Sequence, residues 1–155
     1  MPFFYALLRR QEILYYCEVA SDGKMTLHRG GKDGPVIGTA NPCTVKEGCT
    51  DIELLFPKLT ISLHHKEHLL PLLHSKTSFS AENKAYHWKG YDELVEDDTN
   101  KVVAKFHSKW WQDDTHKMRI GRLDVNETEM RDLIVFTAVI VEERAQEKLP
   151  PFYQL

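Results

Sequence analysis

The chain has 155 residues, a length typical of one domain and sufficient to bury about 68–70% of the unfolded surface in a single core. Hydrophobic residues make up 42% and charged residues 28%, a composition that excludes an intrinsically disordered chain. The formal net charge of −3 argues against a dedicated nucleic-acid binder, because such proteins usually carry a basic excess. We therefore expect one folded domain over residues 1–155 that does not bind nucleic acid.

The N-terminal residues and the cysteines predict a cellular compartment. Residues 1–10 place their two arginines after a short apolar run, the reverse of the order in a signal peptide. No stretch reaches the ~20 apolar residues of a membrane-spanning helix. Cys17, Cys43 and Cys49 are odd in number and lack C-x-x-C spacing, which predicts reduced thiols rather than a disulfide framework or a zinc ribbon. We expect a cytoplasmic or nuclear protein with at most peripheral membrane contact.

Between residues 3 and 125, short apolar runs alternate with turn-forming residues, the pattern of an antiparallel β-barrel or β-sandwich. Alternation of apolar and polar residues is clearest at 86–89 and 118–123, where one strand face would be buried. The predicted strands cover residues 3–8, 13–19, 25–28, 36–40, 52–56, 59–65, 85–89, 94–96, 102–107 and 118–125.

The pattern changes at Asn126, which can cap a helix with Glu129 three residues further on. The apolar run that follows has almost no polar interruption before Glu142, so a helix here would be buried on all sides. Its many β-branched residues leave a central strand as the alternative. The helix-favouring residues 142–148 and the stop at 150–151 favour the helix, which we predict at residues 127–145.

A series of short strands followed by one hydrophobic helix resembles the tubby-like superfamily, which includes tubby C-terminal domains, phospholipid scramblases and LURP-one-related proteins. The resemblance extends over residues 84–148 and looks closest to an uncharacterised fungal family placed in that superfamily. The segments that carry it are Tyr86-His87-Trp88-Lys89, Lys101-Val102-Val103-Ala104-Lys105-Phe106, Gly121-Arg122-Leu123-Asp124-Val125, Asp132-Leu133-Ile134-Val135 and Thr137-Ala138.

This resemblance implies a closed antiparallel barrel of about twelve strands around the buried C-terminal helix, with no catalytic residues and no cofactor. Tubby domains bind phosphoinositide head groups through basic residues, which implies an anionic lipid as the ligand. No tubby-type basic site aligns with particular positions of this chain, and the membrane-inserting segment of scramblases has no counterpart in it.

Cations interleaved with aromatic residues on the last two predicted strands form the candidate binding site. Alternation could bring several of them to one barrel face, where they would attract a phosphorylated head group, with tryptophans near the membrane interface. The alternative is an ordinary solvated strand face, since Asp113, Asp114 and Asp124 dilute the charge. Trp88 and Tyr86 are expected in the core. The candidate residues are Lys105, Lys109, Lys117, Arg119, Arg122, Trp110 and Trp111.

The segment from His64 to His68 matches H-x-x-E-H, a zinc-hydrolase pattern in which a helix brings two histidines to one metal ion. His74 would be the third ligand. Residues 59–63 instead predict a strand, on which His64 and His68 would lie ~13 Å apart. We therefore predict a monomeric, non-enzymatic binding module for an anionic lipid or a protein partner on the outer barrel face, with a small zinc-dependent hydrolase as the alternative.

Overall fold

A computed structural model describes the backbone of residues 3–9, 12–43, 48–66, 76–90, 92–112, 117–125 and 130–147. Side chains are described for residues 14–43, 48–66, 76–90, 92–107 and 130–144. Within these ranges eleven strands precede one helix. The elements are β1 (Phe3–Arg9), β2 (Glu12–Val19), β3 (Met25–Arg29), β4 (Val36–Pro42), β5 (Cys49–Leu55), β6 (Lys58–Lys66), β7 (Lys76–Ala81), β8 (Lys84–Lys89), β9 (Glu93–Glu96), β10 (Val102–Gln112), β11 (Lys117–Val125) and α1 (Arg131–Glu147).

Each strand pairs antiparallel with the next along the chain, and β1 also pairs with β11, so that the strand order returns on itself as a barrel. The prediction of a mainly β protein with one C-terminal helix is confirmed. Two details differ: the described residues hold eleven strands rather than twelve, and the β1–β11 pair is parallel. An odd number of alternating strands leaves the first and last running in the same direction, so their pairing has to be parallel.

One strand, β7, was absent from the prediction. Its sequence is Lys-Thr-Ser-Phe-Ser-Ala, and only Thr77, Phe79 and Ala81 are buried. Because the buried positions include a threonine and the other positions are polar, the segment does not stand out as an apolar run. The strand becomes recognisable through its pairing with β6 and β8, which the sequence of β7 alone does not reveal.

The C-terminal apolar segment is a helix, as predicted, but its limits differ. The helix begins at Arg131 rather than at residue 127, because the carbonyl of Met130 accepts the hydrogen bond from Ile134 N, at 2.9 Å. It ends at Glu147 rather than 145. The predicted cap, Asn126 with Glu129, lies outside the described residues. Asp132 supplies the negative charge that a first helical turn favours.

The helix is enclosed by side chains on all of its faces. Every residue from Leu133 to Glu143 is buried, whereas β5 and β6 bury only alternate residues. The helix and the inward-facing strand residues form one hydrophobic cluster. At Gly38 on β4 a methyl group would lie 2.8 Å from Leu54 Cδ2 and 3.2 Å from the Phe136 ring, so glycine leaves room for both side chains. Within the described residues, no helix is both long and apolar enough to cross a membrane.

Candidate functional site

The predicted cationic site lies on β10 and β11, where backbone register is described throughout. Lys109 pairs with Ile120, Trp110 with Arg119, Trp111 with Met118, Gln112 with Lys117, and His107 with Arg122. Since strand positions alternate between the two faces of a sheet, these pairs fall into two classes. Lys105, Lys109, Trp111 and Arg122 belong to one class, and Trp110, Lys117 and Arg119 to the other. The register therefore places three of the five predicted cations, Lys105, Lys109 and Arg122, in the same alternation class.

Lys105 and His107 are the members of the first class whose side chains are described, and both face outward. Both residues are exposed, whereas Ala104 and Phe106 between them are buried. Lys105 lies opposite Glu93 on β9 and opposite Asp124 on β11. An acidic residue therefore occupies the neighbouring position on each side of this lysine, a feature that the separate strand sequences did not reveal.

The aromatic residues of β8 are core residues, as predicted. Trp88 is fully buried, and Tyr86 is buried and stacks on Phe79 with ring centroids 5.4 Å apart. The Trp88 indole N–H donates to Thr137 Oγ1 at 3.0 Å, which ties β8 to the middle of the helix.

The H-x-x-E-H segment begins on a strand. His64 is an exposed residue of β6, whereas His68 and His74 lie outside the described residues. The neighbouring His65 has its Nε2 2.9 Å from Thr50 Oγ1 and its Nδ1 2.9 Å from Thr77 Oγ1, so it links β5, β6 and β7. The strand prediction for residues 59–65 is confirmed, and the metal site at residues 64–74 stays a prediction.

Two of the three cysteines are not reduced. Cys43 and Cys49 form a disulfide between the end of β4 and the start of β5, with their Cα atoms 5.3 Å apart. The prediction of three free thiols was therefore wrong for this pair. Only Cys17, a buried residue, is a free cysteine. The sequence separation of six gave no signal, because the two residues meet only when β4 and β5 pair.

A polar cluster anchors the beginning of the helix. Tyr15 donates a hydrogen bond to Asp132 Oδ1 at 2.5 Å, and the Arg29 guanidinium donates to Oδ2 at 2.6 Å. Burial of Tyr15, reinforced by its bond to the Asp132 carboxylate, raises the pKa of the phenol well above its usual range. The cluster joins β2, β3 and α1, and its carboxylate is engaged on both oxygens.

The turn between β5 and β6 carries an apolar surface that the sequence prediction missed. Phe56 is 70% exposed, and Leu55 and Leu59 on either side of it are also exposed. Lys58 is the single charged residue between Leu54 and Thr60. The signal was present in the sequence, since large apolar residues stood at a predicted strand end beside a proline.

The family model described as "Family of unknown function (DUF6593)" matches residues 9–147. The chain belongs to this family. No curated protein and no solved structure matches it. The matched residues include ten complete strands and the helix, so the family covers nearly all of the architecture described above. The description of the family names no activity.

Proposed function

We propose that this protein is a non-enzymatic binding module that recognises an anionic membrane lipid head group through the outward positions of β10 and β11. The observation that supports this best is the filled interior. The helix occupies the space that a ligand-binding barrel would leave for its ligand, and Leu133–Glu143 are all buried among strand side chains. Recognition then falls to the outer surface.

Four basic or titratable residues share one alternation class on these two strands, by register. Lys105 and His107 are exposed, and by register Lys109 and Arg122 belong to the same class. Near an anionic membrane, each surface lysine or arginine contributes about 1 kcal/mol of attraction, which salt screens. Such a set is sufficient for weak, reversible membrane association.

The acidic residues beside Lys105 limit the expected strength of membrane binding. Glu93 and Asp124 lie opposite this lysine and reduce the positive potential at that end of the surface. We therefore expect Lys109 and Arg122 to contribute most of the attraction, and we expect the affinity to fall steeply with ionic strength.

Flotation with vesicles tests the proposal. Wild-type protein should float with phosphoinositide-containing vesicles at low salt and remain unbound with vesicles of neutral lipid only. The double variant K109E/R122E should lose flotation. The matched control K58E/K84E makes the same charge change at exposed lysines on β6 and β8 and should float like the wild type.

One further variant gives the test a gain as well as a loss. Asp124→Asn removes an acidic residue opposite Lys105 and should increase flotation. Wild-type protein that stays unbound at low salt would refute the lipid proposal. Equal losses in K109E/R122E and K58E/K84E would mean that net charge alone, and not this surface, governs binding.

The exposed turn of β5 and β6 favours a protein partner as a second candidate function. An exposed phenylalanine flanked by leucines is the kind of anchor that fills a pocket on a partner. In the barrel order, β5 and β6 are separated from β10 by at least three intervening strands, so this turn is distinct from the cationic surface. A photo-crosslinking amino acid at Phe56 should capture one discrete protein in cells, whereas the same group at Glu82, on the β7–β8 turn, should not. Equal labelling from both positions would rule out a specific partner there.

A further inference from the structure

The disulfide between Cys43 and Cys49 belongs to a larger group of metal-ligating atoms. The sulfur atoms of these cysteines and a carboxylate oxygen of Asp51 lie within 4.8 Å of one another. Cys49 Sγ and Asp51 Oδ1 are 3.8 Å apart. Ser62 on β6 donates to the same Oδ1 at 2.6 Å, which holds the carboxylate beside the cysteines. These side chains stand where β4 and β5 begin their pairing.

A histidine occupies the neighbouring position on the next strand. His64 on β6 is the register partner of Cys49 on β5 and is exposed. Directly opposed side chains of an antiparallel pair have Cβ atoms about 4.5–5.5 Å apart. An imidazole at this position can turn towards a metal ion held by the cysteine opposite it, without any change in the backbone.

We propose that the reduced form of this protein binds one zinc-class, thiophilic divalent cation through Cys43, Cys49 and Asp51, with His64 as the fourth ligand. Two thiolates, a carboxylate and an imidazole form a set that Zn²⁺ accepts in tetrahedral geometry. Thiolate ligands select against Mg²⁺ and Ca²⁺, which prefer oxygen donors only. The site differs from the H-x-x-E-H hypothesis, because it uses His64 alone of those histidines and joins three strands.

Thiol–disulfide exchange with a cellular dithiol converts the oxidised form of the site into the reduced form, and the reverse reaction restores the disulfide. Two electrons from the dithiol break the Sγ–Sγ bond, the dithiol becomes a cyclic disulfide, and each cysteine sulfur takes up one proton. Binding of the cation then displaces both thiol protons, since the thiolate is the ligand. The oxidised pair has no thiolate to offer, so metal binding depends on reduction.

Titration with zinc and with cobalt, a spectroscopic substitute for zinc, tests the proposal on the full chain. Protein reduced with a water-soluble phosphine and freed of metal should bind one ion per chain, with a cobalt–thiolate charge-transfer band. The oxidised protein should bind at least about 100-fold more weakly, because both thiolates are missing. Cys43→Ser should abolish the band. His64→Ala and Asp51→Asn should each weaken binding by about tenfold or more while keeping it.

Two matched variants serve as controls. Cys17→Ala removes the buried cysteine, and His28→Ala removes a histidine of β3 that lies 3.0 Å from the carbonyl of Gly34. Both should bind the ion like the wild type. Equal affinity of the reduced and oxidised forms for the metal ion would overturn the proposal. Unchanged affinity of the His64→Ala variant for the ion would overturn the assignment of His64 as the fourth ligand. Loss of the β-sheet circular dichroism signal on reduction would also overturn it, because the site requires β4, β5 and β6 in place.

Discussion

The hydrogen bond between Trp88 and Thr137 is a polar contact between two buried side chains of the core. Both residues are fully buried, and Thr137 Oγ1 accepts from the indole while donating to the carbonyl of Ile134 at 3.0 Å. A buried indole N–H without an acceptor loses its hydration and gains nothing in return. The threonine therefore both satisfies the tryptophan and sets the rotation of the helix against β8.

Replacement of this hydroxyl tests its contribution. Thr137→Val keeps the shape but leaves the indole unpaired, and should lower the free energy of unfolding by about 1–3 kcal/mol. Thr137→Ser keeps the hydroxyl and should restore part of the loss in denaturant unfolding. A valine variant as stable as the wild type would show that the pair does not contribute.

Tyr16 predicts a loss of stability at alkaline pH. Its burial, with Glu18 and Cys17 nearby, raises the pKa of the phenol from 10.0 to about 12 in the folded state. Above the unfolded value the unfolded chain releases this proton while the folded protein keeps it, so unfolding becomes more favourable. The stabilisation is fully present below pH 10.0 and is lost as the pH rises through about 12.

Denaturant unfolding across this pH window should show a falling free energy of unfolding, with a shallower slope for Tyr16→Phe. Tyr15 and Cys17, whose pKa values are also raised by burial, supply the slope that remains in the variant. The same slope in both proteins would contradict the assignment to Tyr16.

The sequence predicted the positions of some residues in the fold and missed the contacts of others. Tyr86 and Trp88 follow the alternation of a half-buried strand, and both are in the core as predicted. The Cys43–Cys49 bond was missed because it depends on the pairing of two strands, not on spacing along the chain. Asp124 was expected to dilute the charge, but its position opposite Lys105, with Glu93 on the other side, was missed because it depends on the pairing of three strands.

At the scale of elements, the helix was the most predictable part. Its apolar run is too continuous for a surface helix, and the structure buries Leu133 to Glu143 without exception. The start was misplaced because Asn126 and Glu129 have the composition of a capping box, whereas the first described helical hydrogen bond begins at Met130. Composition is a more reliable guide to whether a helix forms than to the residue at which it begins.

A charge in the middle of the helix tests whether the element is central. Val135 is 2% exposed, and Val135→Asp would place a carboxylate in an apolar environment, which should prevent folding. The control is Arg131→Asp at the exposed start of the helix, where negative charge interacts favourably with the helix dipole. Circular dichroism should show an unfolded first variant and a folded second. A folded Val135→Asp protein of near-native stability would refute the buried position.

At the scale of the whole molecule, the pattern of strands along the sequence did not predict how the barrel closes. The prediction of short strands in series followed from turn residues and alternation, but the parallel β1–β11 pair depends on the exact strand count. Missing β7 alone would have changed that count from odd to even. Register across the closing strands also determines which cations share a face, and so the candidate surface required the three-dimensional structure.

The filled interior connects the fold with the proposed function, because a barrel occupied by its own helix leaves its outer surface for the binding that we propose. Amide hydrogen exchange tests this enclosure most directly. If the barrel surrounds the helix, the amides of residues 133–143 exchange only when the whole protein unfolds, and their protection free energies equal the global free energy of unfolding. Helix amides that exchange well before those of β3, β5 and β8 would show that the helix leaves an intact barrel, and would contradict the account.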